Sequence, residues 1–386
     1  MINNYLEIDS YKNNFIFKSI CSWGVSNTLD NLKLMPFLDI NSFEIPFVII
    51  FKITKNCNLN CKYCYSTKNN ILIKDSVINS FCKMVSQYNK SLQIIFHGGE
   101  PLLEFDKIKS IILKFKNKKN ITFSIQTNGT LLNRSMILFL KKYNVNLSIS
   151  IDGPKIYNDV YRIDFSKVSN SIKLCHSLNF EPTVISVLNY KSIKNPEILF
   201  NFYKKFKIKL FKINLIDSKK FSYDSSDLFN FYKKLFFLII NNNLTNSFKI
   251  YELTFSNLLK KLLFNIDTDN CNKLNCGAGT KLIAVNVLGD IYPCDYFLEY
   301  NKFKMGNINK FNINNFSLNN IFIINYFKNI SICNSCIFKN FLSCNCFAKS
   351  YFFGKKYCVF WKELIYFIML EIYSDINKVY LLINSD

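Results

Sequence analysis

The sequence contains no long hydrophobic run. The longest apolar runs are Phe47–Ile53 and Leu235–Ile240. Both are much shorter than a membrane-spanning helix, which needs about 20 apolar residues. It also has no charged leader followed by a small-residue cleavage site, so it gives no sign of secretion. We therefore expect a soluble, cytoplasmic protein without a membrane partner.

Acidic residues are comparatively scarce. The 27 Asp and Glu residues face 49 Lys and Arg residues, which gives a formal net charge of +22. A basic patch gathered on one face would indicate nucleic acid or a membrane surface. The lysines are instead spread along the chain among Asn, Ile, Phe and Tyr, a mixture typical of nucleotide-composition bias. We expect solvated lysines and no nucleic-acid partner; the alternative is a basic groove for an acidic peptide.

Cysteine, in contrast, is abundant. Fourteen cysteines in a chain without a secretory signal indicate metal ligands rather than disulfides, because a reducing compartment keeps thiols free. Three of them fall within residues 57–64 and eight within 271–358. Cys21, Cys82 and Cys175 stand alone, and we expect them to be small buried apolar residues.

From residue 46 to about 216, β-rich runs alternate with amphipathic stretches. The predicted strands are Phe47–Ile53, Leu92–Phe96, Ile121–Gln126, Val145–Ile151, Thr183–Leu188 and Leu210–Leu215. The helices predicted between them are Ser76–Gln87, Phe105–Phe115, Arg134–Tyr143, Lys167–Ser177 and Pro196–Phe206. This pattern indicates a parallel sheet, either open and doubly wound or an incomplete barrel, with ligands at the C-terminal ends of its strands.

The periodicity and the positions of the cysteines predict that the chain is divided into five segments. Residues 1–45 form an N-terminal extension, 46–225 the β/α core and 226–270 linking helices. Residues 271–360 form a small cysteine-rich domain that we expect to fold around metal, and 361–386 a closing C-terminal helix, read over Trp361–Ile383.

Cys57, Cys61 and Cys64 lie together directly after the first predicted strand. Three thiolates can bind three irons of a [4Fe–4S] cubane and leave the fourth iron open to a small molecule. Zinc is the rival interpretation. A structural zinc site normally has four ligands, and no further His or Cys lies close enough in sequence to complete one. The spacing by itself leaves both metals possible.

The C-x3-C-x2-C loop resembles the cluster-binding motif of the radical S-adenosylmethionine (SAM) superfamily, in which an aromatic residue, here Tyr63, precedes the third cysteine. The resemblance continues after successive strands. His97–Pro101 resembles the GGEP motif, and Gln126–Thr130 and Ser148–Pro154 resemble the stretches beside the cofactor's ribose and carboxylate. Arg162 resembles an arginine that meets the cofactor's carboxylate.

This resemblance implies a partial (β/α)6, TIM-like barrel that holds a [4Fe–4S] cluster and SAM. The cofactor-binding residues that it implies are Tyr63, Gly98, Gly99, Glu100, Asn128, Ser150 and Arg162. Two glycines let backbone approach a ligand, and a carboxylate suits the ammonium group of SAM. Reductive cleavage of SAM then yields a 5′-deoxyadenosyl radical, which abstracts a hydrogen atom from the substrate.

The cysteine-rich domain resembles the SPASM extension of radical SAM enzymes. By this resemblance one auxiliary [4Fe–4S] cluster is held by Cys271, Cys276, Cys294 and Cys346, and a second by Cys333, Cys336, Cys344 and Cys358. The family usually spaces the later group as C-x2-C-x5-C-x3-C, but here the last two gaps are seven and one residues. Zinc in place of the second cluster is therefore an alternative.

Asp295, directly after Cys294, is the candidate catalytic residue. From Cys57 to Cys358 the chain resembles anaerobic sulfatase-maturing enzymes, in which an Asp at this position is the proposed base toward a substrate Cys or Ser. The structural alternative is a turn aspartate that accepts hydrogen bonds from nearby backbone amides.

Two substrates fit the resemblance. The first is a ribosomally made precursor peptide, matured by a thioether, a carbon–carbon crosslink or a related oxidation. His97, the Cys276-Gly-Ala-Gly stretch and an extension suited to gripping a leader peptide favour it, as do the 56 residues before Cys57. The second is a sulfatase that acquires formylglycine, which Asp295 favours. Either requires a low-potential electron donor such as ferredoxin or flavodoxin, whereas a non-catalytic iron–sulfur scaffold would require none.

Overall fold

The structure, a computed structural model, describes residues 6–11, 14–19, 46–216, 222–264, 266, 268, 276–314, 346–353 and 357–384. Within these ranges the chain forms a ten-stranded sheet and a separate antiparallel pair, Leu6–Tyr11 (β1) and Asn14–Ser19 (β2). This hairpin lies in the N-terminal extension, where the sequence shows no clear periodicity. None of the helices in the described ranges has both the length and the apolar character to span a membrane.

Six parallel strands form the centre of the sheet, as the sequence predicts. They are Phe47–Thr54 (β3), Leu92–Gly98 (β4), Ile121–Thr127 (β5), Asn146–Ser150 (β6), Thr183–Val187 (β7) and Leu210–Asn214 (β8). Strands that follow one another along the chain are neighbours in the sheet, and each pairs in parallel with the next. All six strands therefore end at one edge, where a site can form.

Helices connect these strands and continue after them. They are Asp75–Ser86 (α1), Phe105–Phe115 (α2), Arg134–Lys142 (α3), Lys155–Tyr161 (α4), Phe165–Ser177 (α5), Pro196–Lys205 (α6), Ser225–Thr245 (α7) and Leu253–Phe264 (α8). The apolar spacing that predicts them also buries them: in α2, Ile108, Ile111, Ile112 and Phe115 face the core. The sequence analysis missed α4, because seven residues are too few to establish a helical period.

Two edges extend the sheet beyond the six predicted strands. Tyr251–Glu252 (β9) pairs with β8. On the other side, Leu282–Val285 (β10) runs parallel to β3 and is followed by the antiparallel strands Asp290–Tyr292 (β11) and Gly306–Asn307 (β12). The described part of the cysteine-rich region thus continues the sheet of the core, because β3 offers an edge of unpaired backbone groups.

Alternate residues of β3 enter two different apolar cores. Ile49 and Phe51 pack with the helical layer. Val48 points the other way and packs with Ala284 and Tyr292 from the C-terminal half. The strand that leads into the three-cysteine loop is therefore held by both halves of the chain.

The closing helix predicted over Trp361–Ile383 is two helices. After Phe347–Phe353 (α9) come Cys358–Ser374 (α10) and Ile376–Tyr380 (α11). Between the last two, Asp375 has extended backbone, and its side chain accepts a hydrogen bond of 3.1 Å from the Lys378 amide. Asp375 thus caps α11 and prevents α10 from continuing.

Candidate functional site

A cavity of about 560 Å³ opens at the C-terminal ends of the six parallel strands. Both halves of the chain line it. Of the residues predicted as site residues, the lining includes Cys57, Cys61, Tyr63, Cys64, Gly98, Gly99, Asn128, Ser150, Arg162, Cys276, Cys294, Asp295 and Cys346. Glu100 and Cys358 are described but lie outside this lining, whereas Cys271, Cys333, Cys336 and Cys344 lie outside the described residues.

Gly98 brings the end of β4 close to Thr54, the last residue of β3, and Gly99 brings it close to residues 55–67, which we call the cysteine loop. A Cβ at Gly98 would stand 2.2 Å from the Thr54 carbonyl oxygen, and φ at this residue is +146°. A Cβ at Gly99 would stand 2.1 Å from the Asn56 carbonyl oxygen. The sequence analysis assigned these glycines to a close approach toward a ligand. The two glycines thus let the end of β4 approach Thr54 and Asn56, and both also line the cavity; their predicted approach to the cofactor stays a prediction.

Glu100 is fully buried and bonded within the protein. Its carboxylate accepts hydrogen bonds from Thr127 Oγ1 at 2.6 Å, the Asn128 amide at 2.7 Å and the Leu102 amide at 3.0 Å. Burial raises the pKa of Glu100, and these hydrogen bonds partly offset the rise. Its predicted contact with the cofactor's amino group stays a prediction.

Asn128 connects this carboxylate to the first cysteine. Its amide nitrogen Nδ2 lies 3.8 Å from Cys57 Sγ and donates to Asn58 Oδ1 at 2.9 Å. The Leu59 amide lies 3.4 Å from the same sulfur. Burial raises the pKa of the Cys57 thiol, and both donors lower it. Such N–H donors stabilise a thiolate that binds iron.

Tyr63 and Arg162 meet at a second buried carboxylate, that of Asp152. Tyr63 Oη donates to Asp152 Oδ2 at 2.5 Å, and Arg162 Nε lies 3.4 Å from Asp152 Oδ1. The Arg162 guanidinium also lies over the Tyr63 ring, 5.6 Å from its centre. Ser150, two residues before Asp152, is buried and contributes to the cavity wall.

Asp295 enters the cavity from the C-terminal half. Its Oδ2 accepts a hydrogen bond from the Tyr65 hydroxyl, and its Oδ1 lies 3.8 Å from His97 Nδ1. Oδ1 and Nδ1 are both buried, and neither has a hydrogen-bond partner among the residues that the structure describes. The side chain thus bonds to a tyrosine of the cysteine loop rather than to nearby backbone amides, which was the structural alternative.

Charges around Asp295 set its ionisation. Burial raises the pKa of Asp295, but His97, Lys52 and the Tyr65 hydrogen bond outweigh burial and leave the pKa below its ordinary value. Burial lowers the pKa of His97; Asp295 opposes this shift and Lys52 adds to it.

Lys52 and Glu299 form an ion network that sequence analysis missed. Lys52 is 1% exposed; its Nζ donates to Ser66 Oγ at 2.7 Å and lies 3.6 Å from Glu299 Oε1. Glu299 Oε2 accepts from Lys55 Nζ at 2.9 Å and from Thr67 Oγ1 at 2.8 Å. The available signal was a lysine inside the otherwise apolar run Phe47–Ile53.

Comparison with known proteins identifies the family. The model of the radical SAM superfamily matches residues 51–199, and that of SPASM, an iron–sulfur cluster-binding domain, matches 276–337. An uncharacterized protein of Methanocaldococcus jannaschii is 30% identical over 64% of this chain and 84% of its own length. The chain belongs to the radical SAM superfamily.

Named relatives of this radical SAM protein fall into two groups. A cysteine-type anaerobic sulfatase-maturating enzyme of Clostridium novyi is 27% identical, over 68% of this chain and 76% of its own length. The subtilosin biosynthesis protein AlbA of Bacillus subtilis is 26% identical, over 69% of this chain and 58% of its own length. A solved structure of anSMEcpe with bound AdoMet and Cp18Cys peptide is 25% identical with a TM-score of 0.76, covering 86% of this chain and 99% of that chain.

These matches confirm the predicted fold and cofactors. The fold is α/β, a partial radical SAM barrel followed by a SPASM domain. The radical SAM domain implies SAM and a [4Fe–4S] cluster, the SPASM domain implies auxiliary clusters, and AdoMet is bound in the similar anSMEcpe structures.

The cysteine loop supplies the donor set that a radical SAM cluster needs. The thiols of Cys57, Cys61 and Cys64 line one cavity. Burial raises the pKa of the Cys61 thiol, Arg162 opposes this rise, and the neighbouring Cys64 and Cys57 add to it. Within the described ranges, no three His, Cys, Asp or Glu side chains are arranged to hold a single metal ion. A cubane does not require such convergence, because each thiolate binds a different iron.

Three SPASM cysteines face the same cavity. Cys276, Cys294 and Cys346 contribute to its lining, whereas Cys358 begins α10 and is half-buried. The fold therefore brings together the described members of the first predicted auxiliary set.

Proposed function

We propose that this radical SAM enzyme modifies one residue of a peptide or protein by abstracting a hydrogen atom from it. The cluster ligands in this proposal are Cys57, Cys61 and Cys64. The observation that carries the proposal is a pair of buried atoms, His97 Nδ1 and Asp295 Oδ1, which have no hydrogen-bond partner in the described part of the chain and lie in the cavity that the three thiols also line. Buried polar atoms normally have partners, so an open pair inside a cavity marks a place for a substrate group.

The residues around the cavity have different roles in the proposed reaction. When bound, SAM on the reduced cluster supplies hydrogen-atom abstraction from carbon. Arg162, Ser150 and Asn128 orient the SAM, and the cavity wall excludes water from the reacting atoms. Asp295 Oδ1 accepts the proton of a substrate thiol or hydroxyl, while Tyr65 keeps the carboxylate turned into the cavity.

Maturation of a ribosomally made precursor peptide is the first candidate reaction. Its support is the likeness to AlbA, a bacteriocin biosynthesis protein. In this proposal residues 1–45 grip the leader peptide, residues 46–225 carry the radical chemistry, residues 226–270 link the two halves, and residues 271–360 with the helices of 361–386 close the cavity. Cys271, Cys276, Cys294 and Cys346 hold the first auxiliary cluster, Cys333, Cys336, Cys344 and Cys358 hold the second, and ferredoxin or flavodoxin supplies electrons.

Formylglycine formation on a sulfatase is the second candidate. It is supported by the likeness to sulfatase-maturating enzymes and by the anSMEcpe structure, which contains a Cys peptide. Asp295 in the cavity fits this reaction equally, because formylglycine formation also begins with deprotonation of a thiol or hydroxyl.

Mass spectrometry of the product separates the two reactions. We would reconstitute the protein anaerobically with iron and sulfide, add SAM and dithionite, and supply either a cysteine-rich precursor peptide or a sulfatase peptide containing Cys. Thioether formation removes two hydrogens and retains sulfur, whereas formylglycine formation removes sulfur from the residue. A preparation with full clusters that forms no 5′-deoxyadenosine would contradict both and indicate a scaffold.

A further inference from the structure

Asp152 lies at the junction of three segments that surround the cavity. It follows β6, is 1% exposed, and uses both carboxylate oxygens. Oδ2 accepts from Tyr63 Oη at 2.5 Å, and Oδ1 accepts from the Val187 amide at 3.0 Å and faces Arg162 Nε at 3.4 Å. A buried carboxylate is costly unless donors surround it, and here the donors come from the cysteine loop, β7 and the end of α4.

The middle of the cysteine loop is docked on the same junction. The Lys62 amide donates to the Tyr161 carbonyl at 3.0 Å, and the Tyr63 and Tyr161 rings meet edge-on with centroids 5.9 Å apart. Since Tyr63 lies between Cys61 and Cys64, these contacts fix the two later thiols relative to Arg162. Movement of Asp152 would therefore disturb the loop and the arginine together.

The guanidinium group of Arg162 can donate further hydrogen bonds. Its bond to Asp152 uses Nε, and among the described residues its two terminal nitrogens have no hydrogen-bond partner. Arg162 is 8% exposed and lines the cavity. The terminal nitrogens form a planar pair of donors whose geometry matches a carboxylate.

We propose that Asp152 is a positioning residue for the radical reaction. It aims the free side of Arg162 at the carboxylate of SAM and, through Tyr63, sets the spacing of the proposed cluster ligands Cys61 and Cys64. The inference rests on Arg162 contacting SAM, which belongs to the proposed function. Residues that orient ligand-binding side chains in this way typically account for about tenfold to a hundredfold in affinity.

The test uses four variants of the full chain. Asp152→Asn keeps the shape and removes the charge. Tyr63→Phe keeps the ring beneath Arg162 and removes one hydrogen bond. Arg162→Gln removes the binding group. Asp159→Asn is the matched control, because among the described residues its carboxylate accepts only from Asn158 and the Phe165 amide and bonds to neither Tyr63 nor Arg162.

Each variant is examined without turnover. Thermal unfolding of the metal-free chain reports folding, iron content after anaerobic reconstitution reports cluster loading, and titration of the reduced cluster with SAM by electron paramagnetic resonance reports affinity. We expect SAM to bind about tenfold to a hundredfold more weakly to Asp152→Asn and about threefold to tenfold more weakly to Tyr63→Phe. Asp159→Asn should bind SAM as the unmodified protein does.

The outcomes separate the inference from the function on which it rests. Unchanged SAM affinity and iron content in folded Asp152→Asn would overturn the positioning role. Unchanged affinity in Arg162→Gln would instead overturn the proposed contact between Arg162 and SAM. If Asp152→Asn does not fold without metal, the proposal is tested with Tyr63→Phe instead. A folded Tyr63→Phe that binds SAM with full affinity would refute the proposed link from Asp152 through Tyr63 to the cysteine loop. Loss of the SAM-dependent electron paramagnetic resonance signal from a folded Asp152→Asn would support the positioning role of Asp152.

Discussion

His97 and Asp295 approach each other from opposite halves of the chain, with Nδ1 and Oδ1 3.8 Å apart. His97 is the last residue but one of β4 and begins the GGEP-like stretch, and Asp295 directly follows Cys294 of the SPASM domain. Both atoms are buried, and within the described ranges neither has a hydrogen-bond partner. The proposed substrate site therefore takes one residue from each half of the chain.

Replacing Asp295 should separate cofactor cleavage from substrate modification. Asp295→Asn keeps the shape of the side chain but cannot accept a proton from the substrate. We expect 5′-deoxyadenosine to form and peptide modification to fall by about a hundredfold or more, the usual contribution of a general base. Both products can be measured by liquid chromatography and mass spectrometry in one reaction.

Asp290→Asn provides a control for this change. Asp290 belongs to the same domain, and its carboxylate bonds to Lys304 and Asn307 rather than facing the cavity. Its replacement should leave modification near the unmodified rate. Equal modification by Asp295→Asn and the unmodified protein would exclude Asp295 as the base.

Cys61→Ala should remove the SAM-responsive cluster and leave the auxiliary clusters. We expect a loss of roughly four irons per chain and no 5′-deoxyadenosine, because a cubane needs its three protein ligands. Iron analysis and electron paramagnetic resonance measure the loss. Cys175→Ala is the matched control, since Cys175 is a fully buried lone thiol of α5. If Cys61→Ala still cleaved SAM, the proposed ligand set would be wrong.

Gly98→Ala should displace the cysteine loop. The new methyl group would meet the Thr54 carbonyl oxygen at 2.2 Å, and φ of +146° is unfavourable for any residue with a Cβ. We expect lower iron content after reconstitution even where the chain stays folded, measured by iron analysis and circular dichroism. Gln93→Ala on the same strand should load iron normally. Full loading of Gly98→Ala would show that the loop tolerates the shift.

Glu252 should make the metal-free chain less stable as pH rises. Burial raises the pKa of Glu252 from 4.5 to about 7, despite hydrogen bonds from Phe255, Ile213 and Thr254. The folded state thus holds the proton more tightly than the unfolded state. Its stabilising contribution is complete below pH 4.5 and is lost as pH rises to about 7, a change of about 3 kcal/mol.

The variant Glu252→Gln tests whether Glu252 causes this loss of stability with rising pH, because glutamine does not titrate. Urea unfolding at pH 5 and pH 8 should show the unmodified chain losing about 3 kcal/mol more than the variant between these values. Other titrating groups are shared by both proteins and cancel in the comparison. Parallel pH dependence of the two proteins would place the pKa of Glu252 near its ordinary value.

Much of the core could be predicted because its signals are local. The six central strands and the helices between them follow the apolar period of their own residues, and α2 was predicted with its observed bounds, Phe105–Phe115. The helix α4 was missed because it spans only seven residues. The break at Asp375 was missed because the apolar pattern continues past it, although Asp375 caps the next helix.

Contacts between distant segments could not be predicted in the same way. No period in 271–360 indicates that β10 would pair with β3, since any strand with an apolar face can join an open sheet edge. The buried lysine Lys52 was visible as a residue type, but its partner Glu299 lies 247 residues away. The glycines of the GGEP-like motif could be recognised from the sequence, but their close contacts with Thr54 and Asn56 could not, because those depend on how the ends of β3 and β4 pack.

The sequence alone determined the cluster loop, the order of strands after which each motif stands, and membership of the radical SAM superfamily, because each depends on short spacings within one segment. The tertiary structure alone decided that Asp295 faces His97, that Glu100 is enclosed by Thr127 and Asn128, and that Asp152 joins Tyr63 to Arg162. Those contacts depend on how separate strands and loops pack, and packing selects the partners of a buried polar group from residues far apart in sequence.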